Sequence, residues 1–334
     1  MKRALITGMT GFVGSHLADY ILENHSEVDV VSLNRWRAPL GNVRHIADRA
    51  TFEWGDLEDF ASLKRLIEKY RPDAIFHLAA QSYVDFSYIA PVATLMSNVI
   101  GTCNLLEVVK ALKISDGYNP VIHVCSSSEV YGQVREEDVP ITEDCPFRPA
   151  SPYAVSKVGE DMLAYQYFIS WGLRTIRTRM FTHTGPRRGE VFVVSTFAKQ
   201  IAEIEAGLNK GNTIKVGNLD SVRTFMDVRD AVKAYWLLVQ LCPAGEVYNI
   251  GGNVTMKIGK MLDMLLDLSL CSKGSFRIKQ DPERMRPSDV TLQIPSTAKF
   301  HKVTGWKPEI RFEKTLEDTL NYWRAFYGRG KQRV

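Results

Sequence analysis

The chain has 334 residues, 45% hydrophobic and 24% charged, with a formal net charge of +4. That length exceeds one minimal core and suits one large domain or two interleaved ones. So small a charge, without clustered Lys and Arg, lacks the signature of a nucleic-acid binder. Cys103, Cys125, Cys145, Cys242 and Cys271 form no CxxC pair, and no signal peptide is evident, which points to free thiols in the cytoplasm. No His/Cys spacing resembles a metal site. The longest apolar stretches are strand-sized, so no membrane-spanning helix is expected.

ALIT (4–7) reads as the first strand, and Val13, Leu17, Tyr20, Ile21 and Leu22 then share one face of a helix. Between them lies TGMTGFVG (7–14), where Gly8, Gly11 and Gly14 are spaced GxxGxxG. Glycines there permit positive φ and close approach of a pyrophosphate. The helix that follows offers unpaired N–H groups and a positive dipole end to phosphate. The pattern predicts a dinucleotide site. VDVVSL (28–33) is the second strand, and its tip reads Leu33, Asn34, Arg35, Trp36, Arg37. An acidic tip would hold the adenosine ribose and repel a 2′-phosphate. Asn34 and Arg35, with Arg37 nearby, suit that phosphate instead and favour NADP(H), with NAD(H) as the alternative. Asp56 and Leu57, after the third strand, are placed for the adenine edge.

Leu63, Leu66 and Ile67 recur at helical spacing before the strand AIFHLAA (74–80); Leu105, Val108, Val109 and Leu112 do so before VIHVCSS (121–127). Strands alternating with helices predict an α/β fold, a doubly wound parallel sheet covered on both faces. The last of these strands presents Ser126, Ser127, Ser128 and Glu129 at its tip. SPYAVSK (151–157) then opens a helix with Tyr153 and Lys157 on one face. The lysine charge lowers the tyrosine pKa, so that the phenol can exchange a proton near neutral pH, and a tip hydroxyl can bond the same substrate oxygen. Helices over 191–208, 230–241 and 258–270 and strands over 214–218 and 246–252 follow. They predict a smaller lobe docked on the sheet, formed by 184–227 and 253–329, with 228–252 returning to the sheet domain of 1–183. GRGKQRV, at the end, reads as a frayed basic tail.

TGxxGxxG, HLAAQSYV (77–84), the serine tip, YxxxK and RTRMFTHTGP (177–186) together resemble the extended short-chain dehydrogenase/reductases, over nearly the whole chain. The resemblance implies a Rossmann-type sheet with a C-terminal lobe for a nucleotide-linked sugar. It places Phe12, Val13, Leu78, Ala79 and Ala80, with Tyr153 and Lys157, in the cofactor site. Within that family the chain is most similar to the GDP-mannose branch. SSSEVYG resembles the dehydratases' STSELYG, GPRRGEVFV resembles SPRRGENFV, and KVGNLDSVR resembles LGNLDAKR.

What this implies is 4,6-dehydration of GDP-mannose with internally recycled NADP. Tyr153 takes the 4-hydroxyl proton, Ser127 assists at carbon 4, and Glu129 is the base for carbon 5. Arg187, Arg223 and Arg286 match residues near the nucleotide diphosphate, and Gln81, Ser128, Thr182, Arg188 and Val216 complete the implied substrate site. Thr182 stands where the family usually has Asn, and Thr224 where Asp is usual. FAKQI, DVRDAVKAYWLL and RPSDV look equally like GDP-4-keto-6-deoxymannose reductases, which can also carry a glutamate matching Glu129, so dehydratase and reductase are both open. A non-catalytic dinucleotide-binding protein is the remote alternative. Family members pair through helices flanking the sheet, and the dehydratases can form tetramers through the loop matching 35–45, so a homodimer or homotetramer is expected.

Overall fold

The computed structural model describes residues 1–209, 211–285, 290 and 292–330. In chain order, β1 (Arg3–Thr7) leads into α1 (Phe12–Asn24), β2 (Asp29–Asn34), β3 (Thr51–Trp54), α2 (Phe60–Tyr70) and β4 (Ala74–His77). Two short helices, α3 (Val84–Ile89) and α4 (Pro91–Leu95), continue through a π-turn (Met96–Ile100) into α5 (Gly101–Asp116). Next come β5 (Val121–Ser127), α6 (Pro152–Trp171), β6 (Arg174–Met180), β7 (His183–Thr184), α7 (Val193–Glu205) and β8 (Thr213–Val216). The chain ends with β9 (Val222–Asp227), α8 (Val228–Leu241), β10 (Val247–Ile250), β11 (Val254–Lys257), α9 (Ile258–Asp267), β12 (Arg277–Gln280), β13 (Leu292–Gln293), α10 (Ala298–Thr304) and α11 (Phe312–Gly330).

Seven strands form one sheet in the order β10-β6-β5-β4-β1-β2-β3, and every pairing in it is parallel. The expected doubly wound sheet is therefore present. Its strands are apolar throughout because both faces are covered. Leu17, Ala18 and Ile21 of α1 and Val232, Tyr235 and Leu238 of α8 pack on one face. Leu63, Leu66, Ile67, Leu105, Val109, Ala164 and Tyr167 from α2, α5 and α6 pack on the other. Each such Leu or Ile contributes roughly 1.5–3 kcal/mol by leaving water. Strand order reverses between β1 and β4, which opens a crevice at their C-terminal ends.

The smaller unit has its own core. Phe197 and Ile201 of α7, Met261 and Leu265 of α9, and Leu316, Leu320 and Trp323 of α11 are all buried in it. β9 pairs with β7, β11 and β13, and β8 with β12. Two expectations change. The C-terminal residues continue α11 as far as Gly330, so the tail is helical through that point, and the last four residues lie outside those described. Apolar runs are also not all strand-sized, because α4, the π-turn and α5 make one 26-residue helix with a mean hydropathy of 1.4 over its best window. Its apolarity has an internal cause, since Leu105, Leu106, Val109 and Leu112 sit in the sheet core. Its Asn98 and Thr102 are also buried and hydrogen-bonded within the fold.

Candidate active site

The crevice at the strand tips deepens into a cavity of about 920 Å³ between the sheet and the lobe. At one end is the turn between β1 and α1. Gly8 has φ +74°, and a Cβ there would stand 2.9 Å from Ala79 Cα; at Gly14 it would stand 2.3 Å from the Gly8 carbonyl oxygen. No side chain caps α1, whose N-cap is Gly11, so its first N–H groups face the cavity as orphan donors. Gly8, Gly11, Phe12, Val13 and Gly14 line this end, with Leu78, Ala79 and Ala80 from the tip of β4 beside them. Asn34, Arg35, Asp56 and Leu57 close the far rim. Arg35 is exposed, and among the described residues its guanidinium forms no ion pair. Arg37 does not line the cavity.

The middle is built by β5 and α6. Ser127, Ser128 and Glu129 follow the strand tip into a short 3₁₀ turn, where Ser127 Oγ accepts from Glu129 N at 3.2 Å. Ser151 caps α6 by accepting from Ala154 N at 3.0 Å, with Pro152 at the first helical position. That fixes Tyr153 and Lys157 against the same wall. Burial raises the Tyr153 phenol above its ordinary range; the Lys157 charge and a hydrogen bond with Ser127 oppose this without reversing it. The expected lowering is thus overturned by desolvation. Lys157 Nζ donates to the Cys125 carbonyl at 3.0 Å and to Glu160 Oε2 at 2.9 Å. Glu129 Oε1 accepts from Gln293 Nε2 at 3.2 Å, a contact delivered by β13 from the lobe.

The lobe end separates the arginines. Arg187 lines the cavity and pairs with Asp19 of α1 at 2.7 Å. Arg188 instead lies over the rings of Phe192, 3.6 Å away, and Phe12, 4.9 Å away. Burial pulls its pKa down to about 10, and among the described residues its guanidinium has no ion-pair or hydrogen-bond partner. Arg223 and Thr182 also reach the wall. The side chain of Val216 does not, for it is buried in the lobe core, and Gly217 and Asn218 line the cavity in its place. Gln81 is at the wall, but its amide is engaged within the fold by Tyr83 and Thr94. Thr224 bonds Thr255 across β9 and β11 at 2.7 Å, which satisfies its hydroxyl. Arg286 lies outside the described residues.

Three groups at or behind this wall were not singled out by the sequence. His183 stacks on Phe12 with ring centroids 5.8 Å apart, and its Nε2 is buried without a partner among the described residues; its place beside Thr182 in RTRMFTHTGP was the available signal. Gln293 and Glu160 had no local pattern to mark them.

A glycine turn at a strand-order reversal, a Ser-Tyr-Lys group and an unpaired cation in one cavity define a nucleotide-dependent enzyme, and comparison with known proteins agrees. The sequence profile of the family described as GDP-mannose 4,6 dehydratase matches residues 5–319. The chain belongs to the GDP-mannose 4,6-dehydratase family. A GDP-6-deoxy-D-mannose reductase of Pseudomonas aeruginosa is 35% identical over 324 residues, 97% of this chain and 98% of that one. A GDP-mannose 4,6-dehydratase of Yersinia enterocolitica is 31% identical over 352 aligned residues, covering 96% and 93%. The solved structure of RMD from Pseudomonas aeruginosa complexed with NADPH superposes with a TM-score of 0.83 at 35% identity, covering 98% of this chain and 100% of that one. Relatives that align over nearly the whole chain thus include both a reductase and a dehydratase.

Proposed function

We propose that this member of the GDP-mannose 4,6-dehydratase family is itself a GDP-mannose 4,6-dehydratase, an NADP-dependent lyase that yields a 4-keto-6-deoxy sugar. The observation that carries this reading is Glu129, a carboxylate on the same cavity wall as Ser127, Tyr153 and Lys157. Reduction of a carbonyl needs no such base; elimination of water does. The dinucleotide fits the residues present: orphan N–H groups of α1 for its pyrophosphate, a glycine turn a Cβ would fill, and Arg35 for a 2′-phosphate. When bound, the nicotinamide supplies the hydride acceptor for carbon 4 and the donor for carbon 6.

This chain's own residues do the rest. Tyr153 takes the 4-hydroxyl proton, with Ser127 holding the same oxygen. The ketone acidifies carbon 5, and Glu129 removes its proton, steadied by Gln293. The carbon 6–oxygen bond breaks as Glu129 returns that proton to the departing hydroxide, and carbon 5 regains a proton from Tyr153 as carbon 6 is reduced. Arg188 and Arg223 hold the diphosphate; we assign Arg187 to inter-lobe structure, since Asp19 already neutralises it. The lobe of 184–227 and 253–329 is the substrate-binding part.

The test is GDP-mannose alone, without added cofactor, with the product read by mass spectrometry and NMR. Loss of water and solvent deuterium at carbon 5 are expected. The second reading, a GDP-4-keto-6-deoxymannose reductase, is favoured by the 35% identity to such an enzyme across 97% of the chain. It is established if GDP-mannose stays intact while NADPH is consumed on the 4-keto-6-deoxy sugar.

We also infer a cytoplasmic homo-oligomer. The five cysteines are unpaired, as in a reducing compartment. Val92 and Ile100 of the long helix and Val155, Tyr165 and Ile169 of α6 are exposed at helical spacing, and α4 packs on α6. A second copy covering that apolar face would account for it.

A further inference from the structure

Behind the reacting pair, α6 carries an ionisable group that the proposed chemistry leaves unused. Glu160 lies one turn beyond Lys157, and the ion pair between them spans 2.9 Å with side-chain exposures of 5% for Lys157 and 1% for Glu160. Lys157 also donates to the Cys125 carbonyl, so two of its three N–H donors are engaged away from Tyr153. Glu160 Oε1 is buried without a hydrogen-bond partner among the described residues. Such an arrangement is a poor way to stabilise a helix. Desolvating two charges can outweigh their attraction, and an unpartnered buried polar atom costs roughly 1–3 kcal/mol. A buried, imperfectly satisfied acid against an active-site lysine is therefore a candidate for function.

Its surroundings limit what it can respond to. On α6 it faces Lys157 and Asp161, and Tyr153 lies beyond Lys157. Asp161 is neutralised by Arg177 and Arg179 of β6, at 3.0 and 2.9 Å. Cys125 and His123 face Lys157 from β5 and His77 from β4, both histidines held neutral by burial. Tyr235 of α8 bonds Cys125 Sγ at 3.1 Å. Burial pushes Glu160 up to about 7, although Lys157 opposes this. Burial also disfavours the Lys157 charge, but Glu160 holds it above its ordinary value. Lys157 thus stays charged, with Glu160 as its counter-ion at 2.9 Å.

We propose that Glu160 is a positioning residue that acts on Tyr153 through Lys157: its carboxylate offsets the ammonium charge that would otherwise draw the proton from the phenol, and so sets the pH at which Tyr153 passes between proton acceptor and proton donor. This rests on reading Tyr153 and Lys157 as the reacting pair. The sign is fixed. Removing the carboxylate leaves the lysine charge uncompensated, which favours the phenolate.

Glu160→Gln keeps the size and loses the charge. Tyr153 is titrated in the full chain by NMR with ¹³Cζ-labelled tyrosine, its signal assigned by its loss in Tyr153→Phe. The Tyr153 midpoint is expected to fall by about one pH unit or more in Glu160→Gln, with Glu160→Asp, which retains a carboxylate, closer to the unmodified protein. An unmoved midpoint in a folded Glu160→Gln overturns the proposal, as does an equal fall in Asp and Gln variants. Should Glu160→Gln not fold, Glu160→Ala carries the same expectation. The pH–rate profile of hydride transfer should move the same way. If the midpoint moves but the unmodified protein transfers no hydride on any nucleotide sugar, the catalytic reading fails and the electrostatic link stands.

Discussion

Arg188, assigned to the diphosphate in the proposed mechanism, has surroundings that a purely structural arginine would not need. It is a desolvated cation resting on two phenyl rings, with no anion to meet it among the described residues. Arg188→Met keeps the apolar stacking and removes the buried charge. Binding of GDP-mannose by calorimetry should then weaken about 10–100-fold, the loss of one charged contact. The melting temperature of the ligand-free protein should rise, because an unpaired charge no longer has to be buried. At the opposite rim, Arg35→Ala should cost NADP(H) about 1–3 kcal/mol of binding and NAD(H) little, measured by fluorescence titration. Tyr153→Phe should slow hydride transfer by roughly 10²–10⁴-fold while nucleotide-sugar binding survives. Residue types and spacings made it legible that Gly8, Tyr153 and Lys157 meet in one cavity, because the expected chemistry needs those residues at those intervals. The difference between Arg187 and Arg188 was not legible: adjacent arginines look alike until Asp19, 168 residues earlier, is seen to take one of them.

At the level of elements, six of the seven strands of the main sheet and most helices could be read from apolar periodicity, since a parallel sheet buries its strands on both faces; β6, whose RTIRTRM carries few apolar residues, could not. The long helix was harder. Only its second half shows the spacing of Leu105, Val108, Val109 and Leu112, whereas the first half turns apolar residues outward. Gln293 lies on a two-residue strand, β13, too short for any pattern to reveal. It reaches Glu129 only because β13 pairs with β9 and carries the chain back to the sheet domain, where Ile141 bridges Pro295. The outward stripe on α6 gives an element-scale prediction. Ile169 is 59% exposed, so Ile169→Glu should leave the monomer folded but disrupt the homo-oligomer, as read by sedimentation velocity. An unchanged sedimentation coefficient would place the interface elsewhere.

Across the whole molecule, four histidines are buried in neutral form. Burial lowers His16 to about 4, and His77, His123 and His183 to about 3. Unfolded histidines take up protons below about 6.5, so between that pH and the folded values the unfolded state binds more protons. Stability is then fully present above pH 6.5 and falls on acidification, by about 1.4 kcal/mol per pH unit for each fully buried histidine. Denaturant midpoints should therefore drop steeply between pH 6.5 and 4, and a His77→Asn variant should show a shallower slope. The order of elements has a further bearing on how the protein can be divided. After β6 the chain enters the lobe, returns as α8 and β10, and leaves again. A fragment ending at Met180 would hold six of the seven strands yet lack α8, baring the sheet where Val232, Tyr235 and Leu238 now pack. No single cut yields either half intact. With the lobe proposed as the sugar site, sugar recognition and cofactor recognition would be inherited as one indivisible unit.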